Sequence, residues 1–327
     1  MIESPNVILN YGLSENGLEE PDTFQERFEA LLDQIAGVVV TSRQNIRLAL
    51  LGLFAQGHIL LEDLPGVGKT LLAKTIAASV EGEFSRIQFT PDLMPSDITG
   101  TSVFDMGKQT FQFMPGPIFA NVVVADELNR TGPRTQSALL EAMAEGVVSA
   151  DGTVWPLPRP FVIIATQNLV ETHGTFPLPN SLLDRFMLSM TMGLPTPEEE
   201  VEILRRTEHG FPSLGAVLTR SQVLEMQETA LTVVSAPNIM QYIANLADAS
   251  RKHRDLTLGV SPRASASLLR ACQAWAAFAG RTFVVPEDIQ ELAPYLWGHR
   301  VVTGSGGESL EGRDVIQRLL ESVPVPL

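Results

Sequence analysis

The sequence predicts an α/β fold: a parallel β-sheet with helices on both faces, two β-hairpin insertions, and an all-helical domain at the C-terminal end. Three observations carry this expectation. A Pro/Gly-rich turn joins an apolar run to a helix at residues 61–70, and short apolar runs then alternate with helical stretches as far as residue 195. Beyond that point only helical periodicity remains.

Residues 1–22, rich in Asn, Glu, Gly and Ser, read as a flexible tail. From Phe24 onward, Phe28, Leu31, Leu32, Ile35, Val38 and Val39 recur at helical spacing, and a second helix over 43–55 carries Ile46, Leu50 and Leu53 on one face. The period changes at His58-Ile59-Leu60-Leu61, where consecutive apolar residues indicate a strand buried on both faces. Further strands are predicted at 86–89, 121–125, 161–166 and 187–190, with helices at 70–80 and 133–145 between them. Segments 103–114 and 146–158 interrupt the alternation and read as β-hairpins, the second turning at Asp151-Gly152. At Thr196-Pro197-Glu198-Glu199-Glu200 a cap residue, a first-turn proline and acids facing the positive end of the helix dipole open a helix. Ser261-Pro262 and Pro286-Glu287-Asp288 open two more, the first with Leu268, Leu269, Cys272 and Trp275 or Ala276 on its buried side. The expected units are the tail over 1–22, an α/β domain over 23–194 and a helical domain over 195–327.

The chain has 327 residues, 44% hydrophobic and 19% charged, enough for two packed domains. Its 23 Lys and Arg face 38 Asp and Glu, a net charge of −15 that argues against nucleic acid as the main partner, since phosphate binding needs a basic footprint. Cys272 is the only cysteine, which excludes an intramolecular disulfide and fits a reducing compartment. The first 23 residues have no basic stretch leading into an apolar run, and the apolar stretch from Leu48 to Ala55 is too short to span a bilayer. A cytoplasmic protein without membrane insertion is expected.

The segment Pro65-Gly66-Val67-Gly68-Lys69-Thr70, followed by Leu71, sits between a strand and a helix. Glycines there let backbone N–H groups converge on phosphate oxygens; Lys69 can reach the β and γ phosphates, and Thr70 can ligate Mg²⁺. The strict pattern has glycine six residues before the lysine, where this chain has Asp63. Val122-Val123-Val124-Ala125 is an apolar strand ending in Asp126-Glu127. At the C-terminal edge of a sheet, Asp126 can hold the Mg²⁺ shell while Glu127 orients and activates the attacking water. An acid pair after a strand caps a helix in most proteins; with a glycine-rich loop upstream, catalysis is the stronger reading. Asn168, at the tip of the strand 161–166, can bond the γ phosphate or that water. Two arginines complete the set: Arg185, just before the last strand, and Arg263, at the start of a helix. Either can neutralise transition-state charge on the γ phosphate, although an isolated arginine more often makes a surface ion pair.

With these residues in view, the chain resembles the MoxR family of AAA+ ATPases over roughly residues 24–302. The resemblance rests on long runs: Gln88-Phe89-Thr90-Pro91-Asp92-Leu93-Met94-Pro95-Ser96-Asp97, Phe113-Met114-Pro115-Gly116-Pro117, Asp126-Glu127-Leu128-Asn129-Arg130, Ala165-Thr166-Gln167-Asn168 and Ser261-Pro262-Arg263-Ala264-Ser265. It implies a P-loop AAA+ sheet domain with a helical lid. Lys69 and Thr70 would be Walker A, Asp126 and Glu127 Walker B, Asn168 the first sensor, Arg185 the arginine finger and Arg263 the second sensor. It also implies ATP and Mg²⁺ as cofactors, a ring of identical subunits expected as a hexamer, and hairpins at 103–114 and 146–158 that face the ring surface or pore. Members of the family resemble chaperones that remodel or insert metal into client proteins, often with a von Willebrand A-domain partner. Whether Arg263 acts on its own subunit or a neighbour is open at this point. So are the adenine contacts, because Thr41-Ser42-Arg43 replaces a Val-Gly-Gln-like turn.

Three functions compete on sequence alone. The leading one is an ATP-driven ring that remodels or matures protein clients. A nucleotide-gated scaffold with negligible turnover has no need of the water-activating Glu127. A DNA-associated motor sits poorly with the charge of −15.

Overall fold

A computed structural model describes residues 23–63, 66–168, 174–209, 214–304 and 309–326. The tail expected over 1–22 lies outside the described residues. Two helices lead, α1 (Phe24–Val38) and α2 (Arg43–Phe54). At the start of α1 the Glu26 N–H donates to the Thr23 hydroxyl and the Thr23 N–H to the Glu26 carboxylate, a reciprocal cap. The α/β region then runs β1 (His58–Glu62), α3 (Lys69–Ser79), β2 (Phe84–Gln88), α4 (Pro95–Thr99), β3 (Gly100–Asp105), β4 (Thr110–Pro115) and β5 (Val122–Asp126). A 3-10 turn (Leu128–Arg130) leads to α5 (Pro133–Gln136), α6 (Ala138–Glu145), β6 (Val147–Ala150), β7 (Thr153–Pro156), β8 (Val162–Gln167), α7 (Asn180–Leu183) and β9 (Phe186–Met190). The remainder is α8 (Pro197–His209), α9 (Arg220–Leu231), α10 (Pro237–Lys252), β10 (Leu256–Leu258), α11 (Pro262–Phe278), α12 (Pro286–Trp297), β11 (Val302–Thr303) and α13 (Ser309–Ser322).

Five strands form one sheet in the order β2-β5-β8-β1-β9, with every pairing parallel. The strands inside it are buried along nearly their whole length, which is why their sequences show apolar runs without alternation. Because all five point the same way, Glu62, Gln88, Asp126 and Gln167 end on one edge, where crossover loops leave a crevice. The two expected hairpins form separate antiparallel ribbons, β3–β4 and β6–β7. Asp151 (φ 51°) and Gly152 (φ 76°) make the second turn, both left-handed as a two-residue hairpin requires.

In three places the structure departs from the expectation. The hairpin predicted at 103–114 begins at Gly100, opposite Pro115; a Cβ on Gly100 would lie 2.3 Å from the Met114 carbonyl, so only glycine lets the ribbon close. The helix predicted over 133–145 is two helices, split at Ser137, whose hydroxyl donates to the Pro133 carbonyl and so offers the first turn a partner outside the helix ladder. The C-terminal region contains more than helices. β10 and β11 pair antiparallel, and Val234 bridges to Phe283. At 3 and 2 residues these strands are too short to leave a period in the sequence.

The helix starts at Thr196 and Ser261 are capped as expected: the Glu199 N–H donates to the Thr196 hydroxyl, and the Ala264 N–H to the Ser261 hydroxyl. One apolar core runs from α1, α2 and the sheet into α9 to α13. At its centre Phe28 and Phe278 stack 3.9 Å apart, and Phe54 meets Phe278 edge-on at 5.8 Å. Removing that ring opens a cavity between α1, α2 and α11. Phe278→Ala is expected to cost roughly 3–5 kcal/mol, read as a lowered midpoint with an unchanged slope in urea unfolding.

His58 sits buried at the start of β1, where the N–H of Ile163 donates to Nδ1 and Nε2 lies 3.1 Å from the Met143 carbonyl. Both contacts suit the neutral ring, with its proton on Nε2. Burial pushes its pKa from 6.5 down to about 4. The unfolded chain therefore binds a proton that the folded chain refuses. Stability is expected to be complete above about pH 6.5 and to fall as pH drops toward about 4. In urea unfolding this part of the slope should vanish in His58→Gln.

Candidate functional site

The edge formed by the strand ends is built first by the turn into α3. Gly68 caps that helix with φ 92° and no side-chain partner for the first-turn N–H groups; Gly66 is also left-handed, φ 86°. A Cβ at Gly66 would meet nothing within 4 Å, so backbone conformation and not space calls for glycine there. The outcome is a helix N-terminus with unsatisfied donors, a ready anion site. Pro65 lies outside the described residues.

Lys69 extends from the first turn and donates from Nζ to the Asp63 carbonyl at 3.1 Å. Burial pushes its pKa down, while Asp63, Asp126 and Glu127 pull it up. Asp63 itself, the departure from the glycine pattern, points its carboxylate away from the loop interior. It accepts the N–H of Met192 and, at 3.2 Å, that of Gly193. Glycine could not tie the loop to the chain leaving β9; aspartate does.

Asp126 and Glu127 end β5 opposite this turn. The Thr166 hydroxyl donates to Asp126 Oδ1 at 2.6 Å and accepts the Glu127 N–H at 2.8 Å. Glu127 lies in the left-handed region (φ 56°, ψ 48°), an uncommon conformation for a residue with a side chain and one that recurs at functional sites. Each acid is met by a cation from its own chain. Arg86 donates from Nε (3.1 Å) and Nη2 (2.5 Å) to Asp126 Oδ2, and Arg130 Nε lies 2.9 Å from Glu127. Gln88 Nε2 donates to Glu127 at 3.0 Å. Asn168 is nearly buried at the end of β8, and its carbonyl accepts from Asn129 Nδ2 at 3.2 Å.

Two adjoining clefts open here. One, of about 400 Å³, is lined by Gly66, Gly68, Lys69, Thr70, Asp126, Glu127 and Asn168. The other, of about 570 Å³, has largely apolar walls that include Val39, Val67, Leu71, Met192 and Ile203. They share Gly66, Gly68 and Leu71. An apolar slot continuous with a cationic, N–H-lined cleft suits a molecule with a flat base and a polyphosphate chain. Thr41 and Ser42 line the slot, but Arg43 turns away to Glu29 (3.0 Å) and Asp33 (2.7 Å) on α1. Asn45 Nδ2 fastens this turn to the Met192 carbonyl at 3.1 Å. Thr70 and Asp126 are among the side chains that bring oxygen atoms to the charged cleft, with Glu127, Thr166 and Asn168. Among the described residues there is no cluster of three or more His, Cys, Asp or Glu able to cage a metal. That donor set fits Mg²⁺, which takes one or two protein oxygens and completes its shell with water and phosphate.

Arg185 and Arg263 are not in either cleft. Arg185 immediately precedes β9, whose first residue pairs with His58 at the start of β1. A five-residue strand places that edge about 15 Å from the phosphate-side turn. Among the described residues the Arg185 N–H donates to the Leu182 carbonyl at 3.0 Å, while its guanidinium forms no hydrogen bond or ion pair. Arg263 lies beside it, its Nη1 3.0 Å from Asp184 Oδ2. Reading the sequence missed Arg86, Gln88, Arg130 and the Asp63 carboxylate. A signal existed for two of them. In β2, positions 86 and 88 alternate onto one exposed face, and the register sets Gln88 against Asp126.

A profile described as ATPase family associated with various cellular activities (AAA) matches residues 58–188, and one described as AAA lid domain matches 248–319. The chain is 42% identical to YeaC of Bacillus subtilis over 93% of its length and 98% of that protein's. It is 38% identical to Chaperone MoxR1 of Mycobacterium tuberculosis over 91% of its length and 82% of the relative's. The chain belongs to the MoxR family of AAA+ ATPases. A solved structure from Cytophaga hutchinsonii, described as a candidate ATPase, superposes with a TM-score of 0.86 at 36% identity, covering 93% of this chain and 96% of the other. The AAA+ sheet with its C-terminal lid is thus the fold of a MoxR-type chain, and nucleotide binding comes with the family.

In this MoxR-family site Lys69 is the candidate phosphate contact in the ground state and Glu127 the candidate water-activating group in the transition state. Lys69→Ala is expected to abolish binding of a fluorescent ATP analogue. Glu127→Gln should keep that binding and lose phosphate release. Equal loss of affinity in the two variants would contradict the assignment.

Proposed function

We propose that the chain binds ATP with Mg²⁺ in the two joined clefts and hydrolyses it at the interfaces of a ring that remodels or matures protein clients. The observation that carries this reading is a separation. Lys69, Thr70, Asp126, Glu127 and Asn168 share one cleft, while Arg185 and Arg263 lie together on the opposite edge of the sheet. A site whose transition-state cations stand on the far side of its own subunit is completed by a neighbour. That is a heterologous contact, which closes into a ring when the rotation allows; six subunits is the size we propose.

In this reading the Gly66–Leu71 turn, together with Pro65, cradles the phosphates and Lys69 contacts the β and γ oxygens. Thr70 and Asp126 hold Mg²⁺, which neutralises charge on the phosphate oxygens. Glu127 takes a proton from the attacking water, and Asn168 orients that water or the γ phosphate. Arg185, with Arg263 beside it, supplies positive charge to the adjacent subunit's γ phosphate. We take 23–194 as the nucleotide domain and 195–327 as the lid, joined where Met192 and Gly193 bond Asp63. The relative named Chaperone MoxR1 supports a protein client. A von Willebrand A-domain partner and a cytoplasmic location complete the proposal; no helix among the described residues is long and apolar enough to cross a membrane.

A second reading, a nucleotide-gated scaffold, has one observation behind it. Both acids are already paired, Asp126 with Arg86 and Glu127 with Arg130. Steady turnover with Mg²⁺ and ATP decides against it.

The ring reading is tested through Arg185. Arg185→Ala should keep ATP affinity yet lose hydrolysis by about 10³-fold. Mixing it with inactive Lys69→Ala protein should restore activity, because some interfaces then pair an intact phosphate turn with an intact arginine. Light scattering on Glu127→Gln with saturating ATP should give a closed oligomer. A monomer there, or mixed rings without activity, would overturn the reading.

A further inference from the structure

The short segment that carries Arg185 is held mainly from the lid. Asp184 accepts the Ser261 hydroxyl on Oδ1 at 3.0 Å and Arg263 Nη1 on Oδ2 at 3.0 Å. On the other side of Arg185, the carbonyl of Phe186 takes three donors: His299 Nε2 at 2.9 Å, Arg300 Nε at 3.2 Å and Arg300 Nη2 at 2.7 Å. A carbonyl oxygen has two lone pairs, so three donors exceed what satisfaction requires. His299 and Arg300 follow α12 and are both buried, 4% and 7% exposed.

For Arg300 this burial is costly. A guanidinium out of water needs a close acid, yet its nearest, Asp184 Oδ1, lies 3.9 Å away and is shared with Ser261. Burial drives its pKa down from the usual guanidinium range to about 10, with Asp184 pulling the other way. Among the described residues Nη1 has no hydrogen-bond partner. An apolar side chain would fill the space at lower cost if packing were the only demand. What an arginine adds is a two-pronged, directional hold on one backbone oxygen, next to the residue whose position matters.

β9 is anchored at its far end too. Arg313 of α13 donates from Nη2 to the Ser189 carbonyl at 2.7 Å, and Asp63 holds the backbone just beyond at Met192 and Gly193. The strand therefore joins the phosphate-side turn to the Arg185 segment, with lid groups on it at both ends.

We propose that His299 and Arg300 are positioning residues that set Arg185 for the adjacent subunit's site, so that the lid of one subunit governs hydrolysis in the next. This rests on the reading of Arg185 as a cation supplied in trans. The lid touches the nucleotide slot through Ile203 and Arg206 and the Arg185 segment through Ser261, Arg263, His299 and Arg300. Movement of the lid on its own nucleotide then moves the neighbour's arginine.

Arg300→Met tests this in the full chain, since it keeps an unbranched apolar stem and removes every donor. Affinity for a fluorescent ATP analogue and KM should stay unchanged while kcat falls about 10²-fold, the scale of a 1 Å misplacement. Mixed with Lys69→Ala, Arg300→Met should regain activity as Arg185→Ala does, because the Lys69→Ala subunit presents a correctly held Arg185 to its neighbour. In Arg185→Ala the further change Arg300→Met should add no loss of kcat. His299→Leu should act in the same direction and serves where thermal unfolding shows Arg300→Met to be unfolded. Full turnover in a folded Arg300→Met overturns the proposal, as does failure of Lys69→Ala to rescue it while rescuing Arg185→Ala. If Arg185→Ala itself is not rescued, the trans reading falls first and this inference with it.

Discussion

All five strands of the central sheet run in the same direction, and the separation of Lys69, Asp126, Glu127 and Asn168 from Arg185 follows from that. Parallel pairing collects the C-terminal strand ends on one edge and the starts on the other. Asp126, Glu127 and Asn168 follow strands, so they meet the Lys69 turn. Arg185 precedes a strand, so it cannot. Two register pairs, Ile59 beside Ile164 and His58 beside Phe186, set these facts. The separation of Arg185 from the charged cleft is therefore a consequence of strand direction and needs no special device.

The charged edge is held in a ready but neutralised form. Arg86 and Arg130 balance Asp126 and Glu127 within the chain, and Lys69 rests on the Asp63 carbonyl. These contacts are hydrogen-bonded to charge, the stronger kind, yet they are partly exposed, which lets competing ligands displace them. Asp63 illustrates how a departure from a pattern can carry a function of its own. Its carbonyl serves the lysine as a glycine's would, while its carboxylate reaches two N–H groups beyond β9 that a glycine would leave to water.

At the other edge the economy is different. Arg300 and His299 are buried, and burial lowers the pKa of both, that of His299 to about 3 with the neighbouring Arg300 adding to the effect. Buried polar groups of this kind add little to stability compared with an apolar core. They specify an arrangement, in this case the path of the chain through Asp184, Arg185 and Phe186.

Much of this was present in the linear sequence. The glycine-rich turn, the apolar strand ending in Asp126-Glu127 and the capped helix starts at Thr196 and Ser261 are local signals, because turn conformation, strand burial and helix capping act over a few neighbouring residues. What the sequence could not give were relations across the chain. Arg86 and Gln88 read as ordinary edge-strand residues until β2 is laid beside β5, and Asp63 as a defect until Met192 comes within reach. The split at Ser137 and the ribbon of β10 with β11 were lost for a related reason: elements of two to four residues have too few positions to show a period. Local chemistry declared which residues can bind phosphate. Only the direction and order of the strands decided which of them share a cleft, and left Arg185 and Arg263 facing outward on the opposite edge.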